Sequence, residues 1–191
     1  MQTMYWVSRA IAVAVLIMLG NGVAAQTIGV WKTAERPLVK LQMDDGAVFK
    51  IRARLDADKV LFESVRHAVV SREFIAVLQL VASSPYHPNG FCGAGHETWL
   101  YVYEVQETIL HERTSVLISS CLETFGLLSQ RTGQRGQATD FSSIGWNEEG
   151  FSIRWDNNYD AVGLPIEMSR YQFDGQRFER HDVLADTAQS Q

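Results

Sequence analysis

The sequence predicts a mostly β protein: a single domain of meandering antiparallel hairpins, arranged as an open sheet, a sandwich or an incomplete barrel, after a cleaved signal peptide. Three observations carry this. Apolar and polar residues alternate at the period of a strand in several segments, Asp, Asn and Gly turn residues stand between such segments, and aromatic and β-branched residues concentrate within them. With 191 residues, 46% of them hydrophobic and 20% charged, the chain is globular in composition and has room for one core.

The first stretch is unlike the rest. Arg9 is its only charged residue, Ala10 to Leu19 is unbroken apolar, Gly20, Asn21 and Gly22 break any helix, and Val23-Ala24-Ala25 supplies small side chains. A weakly positive start, a short apolar run and a small-residue site are the order of a secretory signal, with the cut between Ala25 and Gln26. A membrane anchor would need about 20 consecutive apolar residues, and this run stops short of them at Asn21. No cysteine stands at the cut to accept a lipid. The expected product is therefore a soluble periplasmic or secreted protein, with a domain over 26–184 and a flexible tail over 185–191.

Cleavage removes Arg9 and no acid, taking the formal charge from -5 to -6. Nucleic acid and anionic membrane surfaces both call for clustered Lys and Arg, so the expected partners are proteins or neutral ligands. Cys92 and Cys121 are the only cysteines. In an oxidising compartment they have one intramolecular pairing open to them, and a structural disulfide is expected.

Along the mature chain, Phe49, Ile51, Ala53 and Leu55 alternate with Lys50, Arg52 and Arg54, and Asp44-Asp45-Gly46 precedes them, so Leu38 to Leu55 reads as a hairpin. Residues 59–71 fit neither the helical nor the strand period. Phe74 to Val81 is short, branched and apolar enough for a buried strand, which Ser83, Ser84, Pro85 and Pro88 end. Glu97 to Gln106 places Trp99, Tyr101, Tyr103 and Val105 on one face and Leu100, Val102 and Glu104 on the other, and a return strand is expected over Ser115 to Leu122. After a polar stretch over 129–139 come two further hairpins, Ile144 to Trp155 around Asn147 to Gly150 and Met168 to His181 around Asp174-Gly175.

The segment Pro85 to Glu97 stands out as a candidate site. Its glycines and prolines fix the backbone while Tyr86, His87, Phe91, His96 and Glu97 offer functional side chains, and rigid loops of this composition are where binding tends to sit. No catalytic residue, metal site or cofactor is expected. His96-Glu97 and His111-Glu112 begin like a zinc-protease motif, but Leu100 and Ser115 stand where the second histidine belongs. Cys92 as a nucleophile competes with its own disulfide. Asp156, Asn158, Asp160 and Glu167 match four positions of a calcium loop, yet Ala161 replaces the turn glycine and the flanks read as strands, so a solvated Asx turn is the simpler reading. Trp31, Trp99, Trp146 and Trp155 fall on expected strands, where core packing is their simplest use.

By elimination, the expected function is that of a periplasmic protein-binding module. It would be an inhibitor or immunity protein that blocks an envelope-directed enzyme or toxin, such as a basic hydrolase, through this loop. The alternative is a glycan-binding or envelope assembly factor working through exposed tryptophans. A hydrolase with a scattered active site comes third, since catalysis needs positioned acid, base or metal groups.

Overall fold

The computed structural model describes residues 25–29, 38–132 and 141–186. The expected leader lies outside these residues except for Ala25, as do Trp31 and residues 187–191 of the expected tail. In chain order the strands are β1 (Ala25–Gly29), β2 (Leu38–Gln42), β3 (Val48–Arg52), β4 (Ala57–Glu63), β5 (His67–Val69), β6 (Arg72–Ala82) and β7 (His96–Gln106). They continue as β8 (Ile109–Ser120), β9 (Gly126–Leu127), β10 (Ile144–Asn147), β11 (Gly150–Asn157), β12 (Ile166–Phe173) and β13 (Phe178–Leu184). Every strand pair is antiparallel. The described residues hold no α-helix, only a 3-10 turn at Leu128–Thr132.

Two meanders make the frame. The first sheet runs β1-β4-β6-β7-β8 with β5 also paired to β6, the second runs β10-β11-β12-β13 with β9 on β11, and neither closes into a barrel. The β2–β3 hairpin forms on its own around Asp44-Asp45-Gly46, with Gly46 at φ 85°, a left-handed turn position that suits glycine.

The first sheet is covered on both faces, which explains the unbroken apolar run of β6. Phe74, Ala76, Leu78 and Leu80 belong to the core shared with the second sheet, while Ile75 and Val77 belong to a second cluster with Val39, Leu41, Phe49 and Ile51 of the β2–β3 hairpin. Burying each such large side chain contributes about 1.5–3 kcal/mol. The one polar residue in this run, Gln79, is satisfied because its Oε1 accepts the Arg54 backbone N–H at 2.8 Å.

The same double burial accounts for residues 59–71, whose period was unreadable. In β4, Val60 and Phe62 face the hairpin and Leu61 faces the shared core, so no polar face is left to alternate with. β5 returns into β6 through Val70 and Ser71, both left-handed at φ 47° and φ 62°. Neither residue type announces such a turn. Two expected strands also differ in extent: β8 begins at Ile109, ahead of Ser115, and Leu55 is exposed beyond the end of β3.

Contacts between the sheets are largely aromatic. Phe74 meets Phe173 and Phe178 edge-on at 5.1 and 5.2 Å between centroids, and His67 stacks on Trp146 at 4.3 Å while bonding Glu63 at 2.8 Å.

At the rim of the shared core, Glu104 on β7 is nearly buried and accepts from Arg113 Nε at 2.7 Å, Arg72 Nη1 at 3.2 Å and Gln106 Nε2 at 3.2 Å. Burial by itself would raise its carboxyl, but the Gln106 and Arg113 hydrogen bonds and the two arginine charges together hold it below the usual glutamate value. Such a group stabilises the fold above the unfolded pKa of about 4.3. That contribution is lost as pH falls through the lower folded value. Glu104→Gln is expected to cost about 1–2 kcal/mol at neutral pH, with the deficit shrinking in acid. Urea titrations at neutral and acidic pH check this, and a deficit equal at both would remove the ionic explanation.

Candidate functional site

The chain leaves β6 at Ala82 and re-enters the sheet at His96, its pairing partner. Between them the loop is wound as successive turns. The N–H groups of His87, Gly90, Gly93 and Gly95 donate to the carbonyls of Ser84, His87, Gly90 and Cys92 at 2.9–3.1 Å, and Ser83 N–H closes the base on Gly95 O at 3.0 Å. Gly93 is required here, since a Cβ on it would lie 2.1 Å from the Pro88 carbonyl oxygen.

The disulfide Cys92–Cys121 ties this loop to the segment just after β8, with 5.8 Å between the Cα atoms. Gly95 leaves room for it, because a Cβ there would stand 2.8 Å from Cys121 Sγ. Cys121 opens the crossover by which the chain passes from the first sheet to β9 and the second. Ser120 N–H bonds Phe125 O at 3.0 Å, Glu123 N–H bonds Ser120 Oγ at 2.8 Å, and Asn157 Nδ2 donates to Thr124 O at 2.7 Å. The loop is thus fastened to the seam between the two sheets.

The five residues singled out on the loop divide into two groups. Tyr86, 90% exposed, and Phe91, 74% exposed, line a shallow depression with His87, Pro88 and Leu122. Leu122 carries no local signal in the sequence beyond its place next to Cys121. The disulfide brings it to the loop, since Phe91 precedes one cysteine and Leu122 follows the other. His96 and Glu97 sit instead at the loop's root. Glu97 Oε1 accepts from the Ser83 hydroxyl and from Leu122 N–H at 3.4 Å, and His96 Nε2 lies 4.0 Å from Asp58 Oδ2. Their part is to brace the loop from beneath.

Aromatic side chains such as Tyr86 and Phe91 can each bury about 150–250 Å² against a partner, and the turns and disulfide hold them in place before contact.

The other motifs resolve into local structure. Both His-Glu pairs lie on strands, β7 and β8, rather than on a helix. Asp160 Oδ1 accepts the N–H groups of Val162 and Leu164 at 2.9 and 2.8 Å, an Asx turn closed by Gly163 at φ 86°. Among the described residues no three of His, Cys, Asp and Glu gather to hold a metal ion. Trp155 is buried, Trp146 lies under His67, and Trp99 is half-buried with the Arg54 guanidinium 5.3 Å from its ring. An exposed coplanar tryptophan pair is therefore absent among the described residues.

What fold and site together define is a two-meander antiparallel β protein that presents a disulfide-anchored aromatic loop. No protein-family model, curated protein or solved structure matches the chain.

Proposed function

We propose that this chain is an exported, non-enzymatic protein-binding module of the cell envelope, a single domain released from its leader after Ala25. It acts as an inhibitor or immunity protein that occludes an envelope-directed enzyme or toxin. The observation that carries this reading is the Tyr86, Phe91 and Leu122 patch. Large apolar side chains stand in water on a loop whose backbone is fixed by turns and a disulfide, an arrangement of no evident use to the fold itself.

Charge supports a basic partner. The chain carries a formal charge of -5, and of -6 without the leader's Arg9, so the body behind the loop is acidic. Such a field speeds encounter with a basic protein and weakens with salt.

The test is affinity capture from an envelope extract, followed by binding measurements on the purified partner. The expected result is one stoichiometric protein whose association slows as salt rises and whose affinity drops about 100-fold or more in Tyr86→Ala/Phe91→Ala/Leu122→Ala. A partner that binds the triple variant as tightly as the parent overturns the loop's role. Association indifferent to salt removes the electrostatic part.

A further inference from the structure

We infer that the cleft between the open edge of the first sheet and the inner face of the second is a binding site for a neutral saccharide. The cleft holds about 570 Å³, within the range of small-molecule sites. One wall is the edge strand β8, through Thr114, Ser115 and Val116. The other is the inner face of the second sheet, through Trp155, Tyr171 and Arg180, and the crossover residues Glu123 and Phe125 close one end.

The interior is both aromatic and rigidly built. Phe125 meets Trp155 edge-on at 5.9 Å. Trp155 Nε1–H donates to Ser169 Oγ at 2.8 Å, and the Ser169 hydroxyl donates to Asp182 Oδ1 at 2.6 Å. That oxygen also accepts from Arg180 Nε at 2.7 Å. This chain sets the Arg180 guanidinium 6.0 Å from the Trp155 ring centre. Tyr171 brings a second buried polar group to the cleft. Burial pushes its phenol up to about 12, against the charge and the side-chain hydrogen bond of Arg180.

Elimination by charge and polarity selects the ligand class. Glu123 at the rim and Asp182 behind Arg180 disfavour an anion, and Arg180 disfavours a cation. A wholly apolar ligand would cut the Thr114 hydroxyl, the Glu123 carboxylate and the Asn158 amide N–H groups off from water with nothing to replace it, which is costly. A sugar ring meets both demands. Its C–H face lies on an aromatic ring, for which Tyr159 at 57% exposure stands at the mouth, and its hydroxyls donate to Glu123 and accept from Asn158 and Arg180. The expected platform is therefore tyrosine and phenylalanine in a cleft rather than tryptophans on a surface.

Titration of the whole protein with three neutral probes, maltotetraose, cellotetraose and tetra-N-acetylchitotetraose, tests the proposal by calorimetry and by amide shifts in NMR. At least one probe is expected to bind in the micromolar to millimolar range, with shifts centred on residues 114–116, 123–125 and 158–159. Tyr159→Ala and Glu123→Gln change exposed side chains and should fold as the parent does, yet weaken binding about tenfold or more. The Tyr86, Phe91 and Leu122 triple variant should bind the sugar unchanged, which separates this site from the protein-binding loop. No binding by any of the three probes up to millimolar concentration, or binding that survives both cleft substitutions, overturns it.

Discussion

Replacing Cys92 and Cys121 together by serine is expected to lower the thermal midpoint by roughly 7–14 °C. The bond joins residues 29 apart in sequence, and freeing a loop of that length returns about 3.5 kcal/mol of conformational freedom to the unfolded chain. For a domain of this size each kcal/mol shifts the midpoint by about 2–4 °C. Reducing the parent protein with a dithiol should reproduce the shift, because the same constraint is removed without altering any other side chain. The consequence reaches beyond stability. Phe91 and Leu122 each stand next to one of the two cysteines, so the reduced protein should also bind its partner more weakly than the oxidised one. Calorimetric scans with and without reductant, beside the double variant, decide the matter. A midpoint that moves under neither treatment would show that the loop is anchored by its turns and by Glu97 alone.

Phe74→Ala should cost about 3–5 kcal/mol. Phe74 is fully buried on β6, and its ring lies against Phe173 of β12 and Phe178 of β13, so the cavity opens where the two sheets meet. The neighbours on both sides are rings fixed in strands and cannot collapse far into the space. Because Phe74 belongs to a core that draws on both sheets, unfolding should remain a single transition that moves as a whole. Denaturation followed both by far-ultraviolet circular dichroism and by tryptophan fluorescence tests this, since Trp99 lies in the first sheet while Trp146 and Trp155 lie in the second. Two separated transitions, with only the first displaced by the substitution, would mean that the sheets are stabilised independently.

How much of this was readable in advance follows from which interactions are local. The hairpins β2–β3, β10–β11 and β12–β13 were legible because each is written twice over a short span, once in its turn residues and once in its alternation. β4 and β5 were not, because a strand buried on both faces loses its alternation and the Val70-Ser71 turn uses residues that do not signal one. The loop was legible as a rigid projection through its prolines and glycines. The division of labour within it was not: strand pairing draws His96 and Glu97 down to the root while Tyr86 and Phe91 stay in water. The cleft lay beyond sequence reading altogether, since its walls come from β8, the crossover, β11, β12 and β13.

The sequence by itself determined the β class, the places of the hairpins and their turns, and the disulfide, because period, turn chemistry and a single pair of cysteines are properties of short segments or of counting. Only the tertiary structure decided which aromatic side chains stand in water and which lie in the core. It also decided that Leu122 joins the loop and that a polar, aromatic cleft opens between the sheets. Those outcomes depend on how two meanders and a hairpin lay their apolar faces together, and the free energy of that burial is set by all the strands at once rather than by any one of them.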